Sequence, residues 1–206
     1  MQESAYPTVY LPIAQPRTGP LRLFFYGSLL GGLLITAAVL WTGVAKNENI
    51  GMAWFVGKIP AWQGISIGLL IGTLFAIGMW YGGRYIEGFI AIRQKIAEAL
   101  DLESIHWWHA IALSVIAAVP EEIFFRGAMQ PTLGLVLTAL IFGALHAMTR
   151  LYFGYAMLAG LGLGLLANWY GNLWTPIAAH FAVNCWSLIL LAQWSRSTEN
   201  QKAPTH

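Results

Sequence analysis

The chain has 206 residues, of which 57% are hydrophobic and only 10% are charged, and its mean hydropathy is +0.60. A soluble domain carries about a quarter charged residues, so this composition excludes a water-exposed globular surface. Ten Trp, ten Phe and eight Tyr require burial and exclude intrinsic disorder. The single Cys185 excludes a disulfide framework and a cysteine-based zinc cluster, and a net charge of +2 gives no sign of nucleic-acid binding. The class that remains is an all-α, polytopic membrane protein.

Uncharged segments of about 20 residues locate the membrane-spanning helices. Such runs cover 23–45, 59–83, 104–120, 127–149 and 151–195, and a turn-like sequence at 168–172 divides the last of them. They predict six transmembrane helices at 23–45, 62–83, 105–130, 132–149, 152–170 and 174–194. We expect a single transmembrane domain over residues 23–195, with mobile tails at 1–22 and 196–206.

Lys and Arg in the short loops predict the orientation of the chain. With a cytoplasmic amino terminus, eight of these residues fall on the cytoplasmic side and only Lys46 and Lys58 fall outside. Both termini are therefore predicted to be cytoplasmic, in what we expect to be a bacterial cell membrane. The first apolar run follows a proline-rich tail and is longer than a signal-peptide core, so we expect it to be retained.

Two further patterns concern packing rather than chemistry. Residues 84–104 alternate charged and apolar side chains at helical spacing, which predicts an amphipathic helix on the cytoplasmic interface. A connecting helix is the main interpretation of this segment, and a part in gating the substrate is the minor one. Glycines at four-residue spacing predict close helix packing, and they are Gly27 with Gly31, Gly64 with Gly68 and Gly72, and Gly160 with Gly164.

Three charged residues fall well inside a predicted span: Glu121, Glu122 and Arg126. A charge at the bilayer centre costs roughly 2.5–3.5 kcal/mol on insertion scales, so such residues usually face a partner or a wet cavity. Glu122 and Arg126 are spaced i,i+4 and are expected to pair, whereas Glu121 points about 100° away. Pro120 is expected to kink or restart the helix, which would place both carboxylates near a half-helix amino terminus.

The other intramembrane polar groups are two histidines and an asparagine. His146 lies in the fourth predicted span, with Phe142 one turn earlier on the same face. His180 lies in the sixth, with Asn184 one turn later. If the outer turn is placed at residue 131, the two histidines and Glu121 lie at different depths, so tilt or a deep re-entrant turn is needed to bring them together.

These residues form three motifs that follow one another, each on a separate predicted span. In order they are E-E-x-x-x-R at 121–126, F-x-x-x-H at 142–146 and H-x-x-x-N at 180–184. Together they resemble the ordered motifs of the CAAX-protease and bacteriocin-processing family (CPBP, or Abi) of intramembrane endopeptidases. The resemblance covers about residues 105–190, the expected catalytic core, and it implies an intramembrane protease.

Peptide hydrolysis requires an activated water, an oxyanion stabiliser and a proton donor for the leaving group. Glu121 is expected to be the general base, as the resemblance also implies for the first Glu of its motif. We expect His146 to hold the same water, and His180 and Asn184 to hydrogen-bond the developing oxyanion. The expected supporting residues are Glu122 and Arg126, which would fix the geometry, and Phe142, which would pack against His146.

A metal-dependent scheme uses the same residues. Glu121, His146 and His180 would make a two-histidine, one-carboxylate zinc site with an open position for water. We prefer the scheme without a metal or other cofactor, because there is no HExxH motif and the histidines lie on different predicted spans.

Two classes compete with an enzyme. The constellation could lock the helices of a membrane scaffold or assembly protein, or it could relay protons in a coupled transporter. No inverted repeat is visible between the first and second halves, which weighs against the transporter. The expected partners of an enzyme are the lipid bilayer and a membrane-associated substrate. That substrate is left open between a lipidated, CAAX-type tail, a leader peptide and another membrane protein.

Overall fold

The computed structural model describes residues 17–46 and 51–200, which form a bundle of α-helices. In chain order the helices are α1 (Pro20–Lys46), α2 (Ala61–Gly83), α3 (Glu87–Ala99), α4 (Trp107–Glu122), α5 (Gln130–Leu133), α6 (Leu135–Leu145), α7 (Arg150–Tyr170) and α8 (Trp174–Asn200). A π-helical segment, Ile123–Met129, joins α4 to α5, and short 3-10 turns occur at Met52–Trp54 and Leu102–Ser104. The described part of the chain contains no strand beyond an isolated bridge between Thr18 and Leu100.

Five helices of the described ranges are long and apolar enough to cross a membrane. They are Pro20–Val44, Ala61–Gly83, Trp107–Leu133, Arg150–Tyr170 and Trp174–Thr198. Large apolar side chains cover the outward faces of the first two, as at Leu33 and Leu74, which are 60% and 62% exposed. Apolar outer faces of this kind are suited to lipid. The prediction of an all-α polytopic membrane protein is confirmed.

The fourth predicted span, 132–149, is much shorter than expected. Its place is taken by α6, which has 11 residues and is too short to cross a bilayer by itself. Gly134 separates α5 from α6 with a φ of 79°, a backbone conformation that glycine adopts without strain. The Thr149 hydroxyl accepts a hydrogen bond from the Tyr152 N–H at 3.1 Å and so begins α7. A turn and a helix cap therefore shorten a segment whose apolar composition had predicted a longer helix.

Helices α1 and α8 extend beyond the predicted boundaries of the transmembrane domain. Just before α1, the Thr18 N–H donates to the Ala99 carbonyl at 2.9 Å. Near the end of α8, Arg196 donates to the Ile105 carbonyl at 2.6 Å. Ala99 ends α3, and Ile105 lies between α3 and α4. Both ends of the described chain therefore lie on the same face of the bundle as the end of α3, and we call this face the entry face. The tails expected to be mobile are 1–22 and 196–206. Within them, residues 20–22 and 196–200 belong to α1 and α8, and residues 1–16 and 201–206 lie outside the described residues.

The predicted glycine ridge of α2 packs against α8. Gly64, Gly68 and Gly72 are buried, and a Cβ at any of them would overlap the α8 backbone or side chains between Thr175 and Ala179. The contacts advance along both helices together, so α2 and α8 run parallel. The absence of side chains lets the two backbones approach closely, as the spacing predicted.

Helix α4 lies at the centre of the bundle, between α1 and α8. Gly27 and Gly31 of α1 face Ile116 and Pro120 of α4 in the same order, so these two helices are also parallel. Helices α4 and α8 run in opposite directions and meet along much of their length. The hairpin of α6 and α7 completes the bundle, with Gly160 facing Phe142 of α6.

The expected restart of the helix at Pro120 is wrong. Pro120 lies inside α4, and its ring faces Gly31 of α1, where the missing side chain leaves room for it. The irregular geometry begins only at Ile123, where the α-helix widens into the π-helical segment. Glu121 and Glu122 therefore end a continuous α-helical stretch and do not benefit from a helix amino terminus.

The amphipathic helix predicted within 84–104 is formed as α3. It lies at the entry face, where Phe89 makes an edge contact with the Tyr155 ring of α7 at 5.9 Å. Its later part packs through Ile96 on the cluster that contains Leu102 and Leu191. Helix α3 thus runs beneath α2, α7 and α8 and closes the lower end of the space between them.

Candidate active site

The short α6 brings His146 to the depth of Glu121. The turn that separates α5 from α6 lies at Gly134, so Glu121 comes thirteen residues before this turn and His146 twelve residues after it. At 1.5 Å per residue both groups are about 18–20 Å from the turn. The depth mismatch expected from a turn at 131 is therefore removed by the position of the turn itself.

Helix α8 begins deep enough in the bundle, measured from the end opposite α3, for His180 to lie at the same depth as Glu121 and His146. The Leu173 N–H, just before α8, donates to the Trp54 carbonyl at 2.9 Å. The Trp54 ring lies against Gly127 in the π-helical segment, where a Cβ would overlap it. The first turn of α8 is thus near Gly127, and His180 lies two turns further toward Glu121 and Glu122.

Glu122 is the centre of a fully buried charge network. Its Oε1 accepts from Arg126 NH1 at 2.8 Å and lies 2.7 Å from His180 Nδ1. Arg126 NH2 also donates to the Gly160 carbonyl of α7 at 3.0 Å. The side chains of Glu122 and Arg126 are both 0% exposed. Glu122 thereby connects α4 to α8 directly and to α7 through Arg126, and the expected i,i+4 pair is formed.

Glu121 faces the two imidazoles on the other side of α4. Its Oε2 is 3.7 Å from His146 Nε2 and 3.9 Å from His180 Nε2. Both distances exceed that of a direct hydrogen bond. This oxygen is buried, and it has no hydrogen-bond partner among the described residues. Three polar atoms on three helical segments therefore converge without bonding to one another.

The outer nitrogens fix the protonation of both rings. His146 Nδ1 lies 2.7 Å from the Phe142 carbonyl, and because a carbonyl only accepts, Nδ1 carries the proton. His180 Nδ1 faces Glu122 Oε1, an acceptor that also receives a hydrogen bond from Arg126, so Nδ1 is the donor here as well. In the neutral form of each ring, Nε2 therefore presents a lone pair toward Glu121.

Phe142 contacts both histidines. Its ring stacks on the His146 ring with centroids 4.3 Å apart and meets the His180 ring edge-on at 5.9 Å. The Arg126 guanidinium carbon lies 4.7 Å from the centre of the same ring. The contact expected between Phe142 and His146 is present, and this one side chain touches three members of the site.

A cavity of about 400 Å³ opens beside the two histidines, between α2 and α7. The backbones of these two helices stay apart over most of their lengths, and the Phe75 and Tyr155 side chains meet between them. The cavity wall is mostly apolar, and its polar groups are His146, His180 and Asn184 with Tyr152, Tyr155 and Ser187. The Asn184 amide is half-buried and makes no hydrogen bond to the described residues. Glu121 is not part of the wall and lies behind the two imidazoles.

The sequence interpretation missed the tyrosines of this cavity. Tyr155 stacks on Phe75 of α2 with centroids 5.8 Å apart, and Tyr152 lies one turn earlier on the same helix. Aromatic residues are ordinary in membrane helices, and the pattern of α7 gave no sign that these two would face the site. The hydrogen bond from Arg126 to the Gly160 carbonyl was not predicted either, because every residue has a backbone carbonyl and the sequence does not indicate which one accepts.

Among residues 17–46 and 51–200, no group of three or more His, Cys, Asp or Glu side chains has the arrangement of a metal site. In the set considered above for zinc, Glu121 Oε2 lies 3.7 Å from His146 Nε2 and 3.9 Å from His180 Nε2.

One comparison with known proteins covers the segment of the chain that forms this site. Residues 103–186 match the family model for type II CAAX prenyl endopeptidase Rce1-like proteins. This segment holds all three motifs and every side chain that meets at Glu121. The family whose model matches this segment is the CPBP family, the one that the three motifs resemble. The match and the apolar helices support an integral membrane protein.

One relative of the chain is the uncharacterized protein YpbD of Bacillus subtilis (strain 168). The two are 32% identical over 128 residues, which is 60% of this chain. The match spans 64% of the length of the relative. No solved structure gives a significant match to the chain.

Proposed function

We propose that this protein is an intramembrane endopeptidase that hydrolyses a peptide bond in a membrane-associated protein or peptide, using a water activated by Glu121. The observation that carries the proposal is the convergence of Glu121 Oε2 with the Nε2 atoms of His146 and His180 at 3.7 and 3.9 Å. Polar atoms at such distances commonly share a water molecule. The open cavity beside the histidines supplies a place for the substrate chain.

Glu121 and His146 would act on the water. A carboxylate within one water of its target is a suitable general base, and the His146 lone pair gives the water a second acceptor that orients it. The water oxygen bonds to the carbonyl carbon while one of its protons passes to Glu121. That proton then goes to the amine nitrogen as the C–N bond breaks, and the products are a carboxylic acid and an amine.

His180 and Asn184 would stabilise the oxyanion in different ways. The Asn184 amide is free of other hydrogen bonds and faces the cavity, so it is available as a donor. His180 uses its Nδ1 proton toward Glu122, so its Nε2 becomes a donor only when the ring is protonated. The Glu122 carboxylate stabilises that imidazolium, as an acidic partner does in a catalytic triad. Arg126 and Phe142 would hold the rings in place.

We also propose that the entry face is cytoplasmic. Both ends of the described chain lie on this face. It carries α3 with Arg93 and Lys95, and Arg84 just before it, whereas Lys58 lies at the opposite end beside Gly171. Positive residues concentrate on the cytoplasmic side of membrane proteins. Labelling of single cysteines placed at 84 and 58 from either side of sealed vesicles measures this orientation.

Zinc at the same site is the second candidate. The Nδ1 atoms of His146 and His180 are anchored by a carbonyl and a carboxylate, which is the outer arrangement that metal-binding histidines usually have. Metal analysis of the purified protein, with cleavage measured before and after chelation, separates the two schemes. Stoichiometric zinc whose removal abolishes cleavage would replace the metal-free scheme.

The proposed function is tested by replacing the base without changing its shape. We expect Glu121→Gln to abolish cleavage. Peptides from membranes that hold the wild-type protein should therefore include cleavage products that are missing from membranes that hold the variant. Glu98→Gln, at an exposed carboxylate of α3, is the matched control and should keep these products. If Glu121→Gln and wild-type membranes give the same products, the protein is not a protease of this kind. If Glu121→Gln lost solute uptake but not cleavage, the protein would be a transporter. If neither uptake nor cleavage changed, it would be a scaffold.

A further inference from the structure

The loop between α1 and α2 lies at the end of the bundle opposite to the entry face. We call the described residues 51–60 of this loop the outer loop. The Lys58 N–H donates to the Tyr170 carbonyl, at the end of α7, at 2.9 Å. The Phe55 ring meets the Trp174 ring, at the start of α8, with centroids 5.1 Å apart. The outer loop is therefore fastened to the turn that joins α7 to α8.

Trp54 of the outer loop makes two contacts of different kinds. The six-membered part of its indole ring lies against the backbone of Gly127, where a Cβ would overlap it. Its carbonyl accepts a hydrogen bond from the Leu173 N–H, just before α8, at 2.9 Å. The side chain of Trp54 therefore contacts the π-helical segment, while its main chain holds the start of α8.

The two segments that Trp54 contacts carry the partners of one buried hydrogen bond. Glu122 directly precedes the π-helical segment, and Arg126, which pairs with it, directly precedes Gly127. His180 lies within the first two turns of α8. Glu122 Oε1 and His180 Nδ1 are 2.7 Å apart. The relative position of the π-helical segment and α8 thus determines whether this hydrogen bond forms.

The π-helical segment depends on its neighbours for support. Its backbone is wider than an α-helix, since the Gln130 N–H donates to the Phe125 carbonyl five residues earlier. Such segments are rare, are usually short, and occur frequently at functional sites. Gly127 lies in the middle of the segment and has no side chain with which to pack. The Trp54 ring supplies the packing that Gly127 lacks, and it opposes movement of the segment away from α8.

We propose that Trp54 is a positioning residue for the peptidase reaction. Its ring and its carbonyl together fix the separation of Glu122 and His180, and thereby the direction in which His180 Nε2 faces Glu121. Trp54 does not line the cavity beside the histidines, so it acts on the geometry of the site and not on the substrate. This inference rests on the proposed function, and it adds a determinant of that function at the end of the bundle remote from the entry face.

Cleavage kinetics separate positioning from substrate binding. The full-length protein in nanodiscs cleaves a synthetic peptide that covers a site whose product is missing from Glu121→Gln membranes. Trp54→Ala should lower kcat about tenfold or more, because a small displacement of a reacting group slows the reaction strongly. KM should change by less than about twofold, because Trp54 lies away from the cavity. Trp54→Phe keeps a smaller ring and should retain part of the wild-type kcat.

The contact is tested from its other side with Gly127→Ala. The added methyl group would overlap the Trp54 ring, so this variant should also lower kcat. When Gly127→Ala is combined with Trp54→Phe, the smaller ring leaves room for the methyl group. The double variant should therefore be more active than Gly127→Ala alone, since substitutions of residues in contact are not additive. Additive losses would overturn the inference, and this comparison decides it even if Trp54→Ala does not fold.

A measurement without substrate follows His180 itself. In protein labelled with 15N-histidine and placed in nanodiscs, the ring signals of His180 are identified by their absence from His180→Gln. Their chemical shifts report the protonation and hydrogen bonding of the two ring nitrogens. Trp54→Ala should shift the Nδ1 signal, because the hydrogen bond to Glu122 is altered. A general loss of stability would not move this signal while the protein remains folded.

Two controls account for other effects of substitution. Trp62→Phe makes the same change as Trp54→Phe on an outward face of α2, where Trp62 is 66% exposed, and should leave kcat and the His180 signals unchanged. Leu102→Ala removes a buried side chain from the cluster at the entry face. It should lower Tm at least as much as Trp54→Ala does, without shifting the His180 signals.

Several outcomes would overturn the inference and leave the proposed function intact. One is an unchanged kcat in folded Trp54→Ala, whether or not the His180 signals shift. Another is a change in KM alone, and a third is a loss of activity that follows Tm equally in Trp54→Ala and Leu102→Ala. Failure of the proposed function has a different signature, because Glu121→Gln would then cause no product to disappear. The 15N signals would still show in that case whether Trp54 holds His180 on Glu122.

Discussion

The two sides of helix α4 hold their carboxylates in opposite ways. On the closed side, Glu122 is fully buried and bonded to Arg126 and His180. On the open side, Glu121 is 13% exposed, has an oxygen without a partner, and faces imidazoles that line a cavity. Adjacent residues of one helix thus have different tasks, because a step of 100° turns one toward the bundle core and the other toward the cavity wall.

The closed side orients the open one. His180 belongs to both, since its Nδ1 bonds to Glu122 while its Nε2 faces Glu121. A similar division is seen in α2, whose glycines pack tightly on α8 while Ile71 and Phe75, beside Gly72, border the cavity next to α7. Changes on the closed side should therefore lower stability, and changes on the open side should lower activity.

The largest effect is expected from Glu122→Gln. The change keeps the size of the side chain but leaves the buried Arg126 charge without a counter-ion. Breaking a buried pair by removing one partner costs about 3–5 kcal/mol, which for a chain of this size lowers Tm by roughly 6–20 °C. Thermal unfolding of the purified wild-type and variant proteins in detergent measures this decrease in Tm.

Glu121→Gln is the matched control for this loss of stability. Because Glu121 has no counter-ion in direct contact, its replacement should change the unfolding free energy by less than about 1 kcal/mol. Equal losses of stability in the two variants would show that the two sides of α4 do not differ as the structure indicates.

A smaller effect is expected where α2 packs on α8. A Cβ at Gly72 would overlap the Ala179 backbone, so Gly72→Ala must push the helices apart, at a cost of about 1–3 kcal/mol. Gly78→Ala, on the exposed face of the same helix, meets nothing within 4 Å and should be neutral or slightly stabilising. Similar Tm values for both variants would contradict the tight packing of α2 on α8.

Local sequence patterns predicted much of this architecture. The i,i+4 spacing of Glu122 and Arg126 and the four-residue spacing of the α2 glycines each lie within one helix, so helical geometry alone determines which side chains share a face. Both expectations match the contacts in the structure. The order of the three motifs also pointed to the CPBP family, whose model matches residues 103–186.

Longer-range features escaped prediction because they depend on neighbouring helices. Pro120 does not interrupt α4, since Gly31 of α1 accommodates its ring. The depth of His146 depends on a turn at Gly134 and a cap at Thr149, and neither is marked by hydropathy. The roles of the site residues remain predictions, which the substitutions proposed above test.

The smallest effect is expected from the support of His146 on the open side. Its side chain is 32% exposed, and it is held by one hydrogen bond to the Phe142 carbonyl and by stacking on the Phe142 ring at 4.3 Å. Phe142→Leu keeps the hydrogen bond and much of the bulk but removes the flat surface. A small displacement of the imidazole should then lower kcat about tenfold, because proton transfer depends on its position.

Phe124→Leu is the matched control for this change. Phe124 belongs to the same apolar cluster as Phe142 and loses an equivalent ring, but no ring contact joins it to either histidine in the described structure. We therefore expect Phe124→Leu to lower stability about as much as Phe142→Leu while leaving kcat near that of the wild type. If both variants lost activity in proportion to stability, the stacking would have no part in positioning His146, and the hydrogen bond to the backbone would suffice.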